Sequence, residues 1–178
     1  MNVTVQTQAL ITTDRFVMRP LQTSDQGLLE MYLGDMRVAE MTRSIPHPLP
    51  PEYIAGRIKR AGDSDNANDY WVLDGSAFDH AEVMGVLKLT RLDRNQSELR
   101  YWVAPAFWNS GIATDAVAAI LAANPQGARD IYAEVFQDNP TSARVLSSAG
   151  FAYLGDAETF SVARNAVVPT WTYARKMA

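Results

Sequence analysis

SELRYWVAPAFWNSGIATDAVAAILAA, residues 97–123, is the stretch that decides the fold. Its first part is typical of a strand, a short polar turn that holds Gly111 follows, and a helix of small apolar residues begins at once. Such a turn directs several backbone N–H groups toward one point, where the positive end of the helix dipole adds to their field. The stretch therefore predicts an anion site, usually for phosphate. The alternative is a loop that needs only the conformational freedom of glycine.

Segments on both sides of this stretch predict the strands of one sheet. Residues 70–73 and 83–89 precede a strand at 98–103, and their short connections indicate an antiparallel meander. Residues 131–136 are β-branched and aromatic, and because a helix separates them from 98–103, these two strands can run parallel. A further helix starts at Asn139, so two helix starts follow two adjacent strands. This arrangement predicts one shared crevice at the carboxyl ends of the strands.

The remaining segments supply the flanking elements. Residues 16–21 are typical of a strand that Pro20 closes, and four prolines make residues 44–51 a stiff loop. The other expected elements are helices near 28–33, 36–41, 53–61 and 139–149, a polar loop at 61–69, and two or three strands within 151–177. This order predicts an α/β fold of mixed α+β type, with one central sheet and a single domain that spans residues 1–178.

Composition excludes several classes of function. The chain has no cysteine, which excludes disulfides, thiolate nucleophiles and zinc–thiolate sites. It has only two histidines, so we do not expect a metal site built from several histidines. The net charge is −4 and the basic residues are scattered, so we expect no nucleic-acid partner. No run approaches the roughly 20 apolar residues that span a bilayer, and no secretory signal is seen, so we expect a cytoplasmic protein without a membrane partner. The acidic balance mildly favours a cationic substrate such as an amine.

Three motifs carry a resemblance to a known family. Residues 101–103 (YWV) and 108–116 (WNSGIATDA) resemble the acetyl-CoA signature of the GNAT acyltransferases, which is W-G-x-G-x-A-T-E-A in the RimJ/RimL-type ribosomal-protein N-alpha-acetyltransferases. Residues 138–146 (DNPTSARVL), with AGF at 149–151, are similar to the second signature of that branch, D-N-x-x-S followed by L-G-F. Residues 13–20 (TDRFVMRP) resemble its T-x-R-L-x-L-R-P start.

The resemblance implies a GNAT-like domain with a central, mostly antiparallel sheet, splayed between two parallel strands and flanked by helices. It implies an N-acetyltransferase that uses acetyl-CoA and no metal, and that acts as a monomer or homodimer. The acceptor it favours is a protein or peptide N-terminal alpha-amine, which attacks directly in a ternary complex. Two alternatives stay open: a small amine (an amino acid, polyamine or antibiotic), or a module that binds acyl-CoA without turnover.

The resemblance also implies which residues bind acetyl-CoA. Asn109 stands where the family has its first glycine, and asparagine tolerates left-handed backbone better than most residues. Its side chain is nevertheless expected to crowd the pyrophosphate. The cofactor-binding residues expected from the motifs are Trp102, Val103, Trp108, Asn109, Ser110, Gly111, Ile112, Ala113, Thr114, Asn139 and Ser142.

Acyl transfer to an amine needs a base, an oxyanion donor and an acid for the leaving thiolate. The resemblance implies that the backbone N–H near Val103 is the oxyanion donor. Glu98 is the candidate base, and the alternative is a strand carboxylate that is solvated or paired with Arg100. Ser142 or Tyr101 is the candidate acid. The alternatives are a first-turn helix serine or a CoA contact for Ser142, and a buried strand tyrosine for Tyr101.

Two residues are candidate contacts to the acceptor. Tyr32 lies in the first expected helix, and His47 lies in the proline-rich loop expected to overhang the acceptor channel. The alternative for His47 is an exposed loop histidine without a ligand.

Overall fold

A computed structural model describes residues 8–63 and 67–178. Its strands form one eight-stranded open sheet in the order β1-β2-β3-β4-β5-β6-β8-β7. The strands are β1 (Ile11–Thr12), β2 (Val17–Arg19), β3 (Asn68–Asp74), β4 (Gly85–Leu92), β5 (Gln96–Val103), β6 (Asp130–Phe136), β7 (Ala152–Ser161) and β8 (Ala166–Lys176). The helices are α1 (Gln26–Leu33), α2 (Met36–Ala39), α3 (Tyr53–Ala61), α4 (Ile112–Ala123) and α5 (Pro140–Ser148).

The predicted fold class is confirmed: the sheet is mostly antiparallel, its β5–β6 pair is parallel, and helices flank it. The tail contains two strands joined by a turn. Strand β2 ends before Pro20. Strand β1 carries no strong sequence signal and forms because its two residues pair with β2. Residues 64–66 of the predicted polar loop lie outside the described residues.

Strands β5 and β6 diverge after a short paired segment. Their register runs only from Gln96 opposite Asp130 to Glu98 opposite Tyr132. Beyond this point β5 stays paired with β4 as far as Val103, and β6 stays paired with β8 through Phe136. Each strand therefore follows its outer neighbour, and a wedge opens between them at their carboxyl ends.

Two apolar cores cover the two faces of the sheet. One core contains buried residues of α1, α2 and α3 and of strands β3 and β4, and we call this side the α1–α3 face. The other core contains buried residues of α4 and α5, and we call this side the α4–α5 face. Side chains of β5 alternate between them, so Trp102 packs on the α1–α3 face and Leu99 on the α4–α5 face. Glu98 and Arg100 share the face of Trp102.

Candidate active site

The wedge between β5 and β6 opens into a cleft of about 770 Å³. Residues of both strands line it, together with the turn before α4, the start of α5 and side chains of the α1–α3 face. The predicted shared crevice is therefore present at the carboxyl ends of the two parallel strands. A cleft of this size, open along two unpaired strand edges, accommodates an extended ligand.

The edge of β5 presents a backbone donor to this wedge. The Ala104 N–H donates to the Met84 carbonyl beside β4, at 2.9 Å, so alternation turns the polar backbone groups of Val103 toward β6. The Val103 carbonyl accepts from the Trp108 indole Nε1 at 2.6 Å. The N–H of Val103 therefore faces the wedge, at the place where the sequence predicts an oxyanion donor.

The turn before α4 takes a left-handed backbone at two positions. Asn109 has a φ of 60° and Gly111 a φ of 80°, so asparagine adopts the conformation for which the family motif uses glycine. Gly111 is the N-cap and has no side chain to cap the helix. The N–H groups of the first turn of α4 therefore point out of the helix end toward the cleft, as an anion site requires. Ile112 offers only its backbone because its side chain is buried in the core.

Arg15 fixes the shape of this turn. Its Nη1 donates to the Ser110 carbonyl at 2.6 Å, and its Nε and Nη2 donate to Asp115 Oδ2 at 3.0 and 2.6 Å. The Ser110 hydroxyl donates in turn to the Phe107 carbonyl. Arg15 was given no role from the sequence, although it belongs to the quoted 13–20 motif. Arg15 is separated from its partners by about a hundred residues of sequence, so the contact could not be predicted from a local pattern.

The second helix start brings three candidates together. The Asn139 side chain caps α5: its Oδ1 accepts from the Ser142 N–H at 3.4 Å, and its Nδ2 donates to the Ser142 hydroxyl at 3.1 Å. The Tyr101 hydroxyl donates to the Ser142 carbonyl at 3.4 Å, and all three residues line the cleft. Burial raises the pKa of Tyr101 to about 12, against the opposing hydrogen bond with Ser142, so the phenol keeps its proton at neutral pH.

Glu98 belongs to a charged cluster on the α1–α3 face. Its Oε1 lies 2.7 Å from Arg100 Nη2 and 3.6 Å from Arg43 Nη2. Arg100 Nη2 is buried, and its approach to Glu98 lacks the alignment of a hydrogen bond. Burial raises the pKa of Glu98, while Arg43 and Lys88 oppose the rise. The strand ion pair weighed as the alternative is thus present, and the side chain of Glu98 lies outside the cleft lining. The role of base stays a prediction.

The acceptor candidates differ in their positions. Tyr32 packs its ring against Trp102, with centroids 6.2 Å apart, and lies behind the cleft wall. His47 is exposed and also lies outside the lining, although Ser44 and Ile45 of the same loop line the cleft. The structure therefore brings neither ring into the cleft.

The tip of the β7–β8 hairpin is held beside the cleft by Arg164. Arg164 pairs with Asp138 Oδ2 at 2.5 Å, donates to the Glu40 carbonyl at 2.9 Å, and stacks 4.8 Å from the centroid of Phe136. The hydrogen bond from Arg164 lowers the pKa of Asp138. This arginine, which sequence reasoning missed, ties the hairpin to the start of α5 and to α2.

A family model described as an acetyltransferase (GNAT) domain matches residues 15–152. The chain belongs to the GNAT acetyltransferase family. No curated protein matches it by sequence. The expectation of an acyltransferase is confirmed, and the paired motifs at the two helix starts are what made it readable from the sequence.

Solved structures share the fold of this GNAT enzyme. Spermidine N-acetyltransferase from Vibrio cholerae, in complex with CoA and spermine, superposes with a TM-score of 0.77 at 15% identity, covering 93% of this chain and 97% of that one. Ribosomal-protein-S5-alanine acetyltransferase from Vibrio fischeri gives 0.76 at 17% identity, covering 94% and 96%. RimL, a ribosomal alpha-N-protein acetyltransferase in complex with coenzyme A, gives 0.77 at 16% identity, covering 95% and 98%. RimJ/RimL-type proteins are thus one of several kinds of neighbour.

Two further observations concern the described part of the GNAT chain. Across residues 8–63 and 67–178, no cluster of three or more histidine or acidic side chains is arranged to hold a metal ion. Within the same ranges, no helix has the length and apolar character needed to cross a membrane.

Proposed function

We propose that this enzyme transfers the acetyl group of acetyl-CoA to the N-terminal alpha-amine of a protein or peptide, by direct attack in a ternary complex. The observation that carries the proposal is the wedge between β5 and β6, with an uncapped helix start at its mouth. The GNAT family gives the reaction class, and the presence of two ribosomal-protein acetyltransferases among the structural neighbours supports the choice of acceptor.

The donor set fits acetyl-CoA. The first-turn N–H groups of α4, held in place by Arg15, suit a pyrophosphate, and the unpaired backbone of β5 and β6 suits the amides of a pantetheine arm. Asn139 lies at the same opening and offers an amide. Bound acetyl-CoA supplies an activated thioester. The residues of this chain would orient its carbonyl, with the Val103 N–H as the oxyanion donor.

Two proton transfers are assigned, one to Glu98 outside the cleft lining and one to Tyr101 within it. The amine must lose a proton before it attacks, and Glu98 is proposed to accept that proton directly or through water. Burial raises the pKa of Glu98, which makes its carboxylate a stronger base. Tyr101 is proposed to return a proton to the leaving thiolate, because its phenol stays protonated and lines the cleft beside Ser142. Ser142 is the second candidate for this acid. The sequence has no cysteine, so no thiol of the enzyme can carry the acetyl group.

An acceptor screen tests the proposal. Purified protein is mixed with acetyl-CoA and a peptide library of varied N-terminal residues, with spermidine and free amino acids in parallel, and CoA release is recorded. We expect turnover with peptides, with mass spectrometry locating the acetyl group on the alpha-amine. Preference for spermidine would replace the peptide assignment with the small-amine alternative. Tight acetyl-CoA binding by calorimetry without turnover of any acceptor would identify a binding module.

A further inference from the structure

Two cationic side chains meet over one aromatic ring on the α1–α3 side of the cleft. Tyr70 on β3 and Lys88 on β4 are register partners, and Lys88 Nζ lies 5.8 Å from the centroid of the Tyr70 ring. Arg57 reaches the same ring from α3, with its guanidinium carbon 5.7 Å from the centroid. Arg57, Tyr70 and Lys88 all line the cleft. We call these three residues the Tyr70 cluster.

The cations of the Tyr70 cluster are not ion-paired within the described ranges, although the charge of Glu98 acts on Lys88 at longer range. Over residues 8–63 and 67–178, Arg57 and Lys88 contact aromatic rings but form neither an ion pair nor a hydrogen bond. Burial lowers the pKa of Lys88. The charges of Arg57 and Arg43 lower it further, while the charge of Glu98 opposes the fall.

The two nearby carboxylates are already engaged. Glu98 pairs with Arg100 at 2.7 Å and with Arg43 at 3.6 Å. Glu134 lies 3.8 Å from Arg43 and accepts from the Thr170 hydroxyl at 3.0 Å. Arg43, Arg57, Lys88 and Arg100 thus stand against two acidic groups, so this part of the cleft is locally cationic although the whole chain has a net charge of −4. The acidic net charge of the whole chain favours a cationic substrate. The positive charges that face this part of the cleft disfavour one.

The phosphates of acetyl-CoA do not account for this field, because the proposed pyrophosphate site is the turn before α4, whereas the Tyr70 cluster lies on the α1–α3 face, over β3 and β4. The acceptor is assigned to the α1–α3 face, because the helix starts proposed to hold the cofactor belong to α4 and α5, which cover the other face. A cation that contacts only an aromatic ring can still bind a carboxylate. Arginine and lysine both bind carboxylates by charge-assisted hydrogen bonds.

We infer that the Tyr70 cluster is an anion subsite that selects an acceptor amine with a carboxylate near its amino group. This inference rests on the proposed function and means a peptide whose N-terminal residue is followed closely by Asp or Glu. Lys88 lies opposite Arg100, three positions along β5 from Val103, which is about 10 Å at roughly 3.3 Å per strand residue. Arg57 and Lys88 bind the carboxylate and hold the alpha-amine toward the wedge. A polyamine is disfavoured because its charges repel both side chains.

The test compares three peptides that differ only at the second residue, which is Asp, Asn or Lys. The Asp peptide is expected to have a kcat/KM about tenfold above that of the Asn peptide and further above that of the Lys peptide, mostly through KM. Arg57→Gln and Lys88→Gln should each remove most of the Asp advantage and change the Asn peptide little. Lys59→Gln is the matched control, because Lys59 is an exposed cation on the same helix and lies outside the cleft lining.

The Lys88→Glu variant should reverse the peptide preference. It replaces a positive charge of the cluster by a negative one, so the Lys peptide should be acetylated faster than the Asp peptide. An unchanged acetyl-CoA affinity shows that each variant is folded. Equal rates for the Asp and Asn peptides, or a preference of the native enzyme for the Lys peptide, would overturn the subsite.

Failure of the proposed function is separable from failure of the inference. If only small amines are acetylated, the acetylation rates of free glutamate and free glutamine are compared instead. Equal rates for these two acceptors would overturn the subsite. If no acceptor is acetylated, calorimetry measures the affinity of the Asp and Asn peptides for the protein with acetyl-CoA bound. Equal affinities for the two peptides would also overturn the subsite.

Discussion

Gly111→Ala tests whether the turn before α4 holds the cofactor phosphates. The φ of Gly111 is 80°, a region that costs a residue with a Cβ about 1–2 kcal/mol. The added Cβ would lie 3.1 Å from Arg15 Nη2, the end of a flexible side chain, so the steric term is small. Relaxation of the turn would instead swing the first N–H groups of α4 away from the cleft.

The matched control is Gly127→Ala. Gly127 also has a positive φ, 61°, and a Cβ there meets no atom within 4 Å among the described residues. Both variants should lose about 1 kcal/mol of unfolding free energy in urea, after the smaller unfolded-state entropy of alanine is allowed for. Only Gly111→Ala should raise the acetyl-CoA Kd in calorimetry, by about 5–30-fold if the 1–2 kcal/mol is expressed in binding. An acetyl-CoA Kd within about twofold of the native value in a destabilised Gly111→Ala protein would refute this use of the turn.

The remaining predictions address the rest of the site and the fold. Asn109→Gly should tighten acetyl-CoA binding about two- to fivefold in calorimetry, because it removes a side chain at the cofactor turn and needs no strained backbone; weaker binding would make Asn109 a positive contact. Glu98→Gln should lower kcat mainly below the pH at which the amine deprotonates by itself, since burial raises the pKa of Glu98 and the carboxylate forms only above that raised pKa; an unchanged pH–rate profile removes Glu98 as the base. Tyr101→Phe should lower kcat and leave the KM for acetyl-CoA nearly unchanged, and steady-state kinetics with unaltered kcat would exclude the phenol as the acid. Arg19→Gln should cost about 3–5 kcal/mol in urea unfolding because it leaves the buried Asp25 carboxylate unpaired, and a loss below about 1 kcal/mol would contradict that reason.

Local patterns predicted most of the scaffold. The helix starts at Gly111 and Asn139 are readable from the sequence because a glycine turn and an N-cap are short-range signals. The strand at 98–103 is readable because its composition is a local signal. The two-residue strand β1 carried no such signal, since pairing with β2 creates it.

Contacts between distant segments could not be read from the sequence. Arg15, which lies between β1 and β2, reaches the turn before α4 because the sheet places β1 and β5 beside that helix. Arg164 reaches Asp138 through the β7–β8 hairpin. The cationic Tyr70 cluster was hidden by the acidic net charge, because a sum over the chain says nothing about which charges face one cleft.

The position of loop side chains was also beyond local reasoning. The proline-rich segment was correctly expected to be a loop, and Ser44 and Ile45 line the cleft. The direction of His47 depends on backbone torsions that no periodicity encodes, and the structure places that ring in solvent. Tyr32 likewise fits the expected helical spacing, but its ring packs on Trp102 rather than entering the cleft.

The most direct test of the proposed activity follows an isotopically labelled acetyl group from acetyl-CoA into an acidic peptide, by mass spectrometry with fragment analysis. We predict enzyme-dependent gain of one labelled acetyl group on the N-terminal alpha-amine, with one CoA released for each. Labelling confined to lysine side chains, or CoA release without any acetylated peptide, would contradict it.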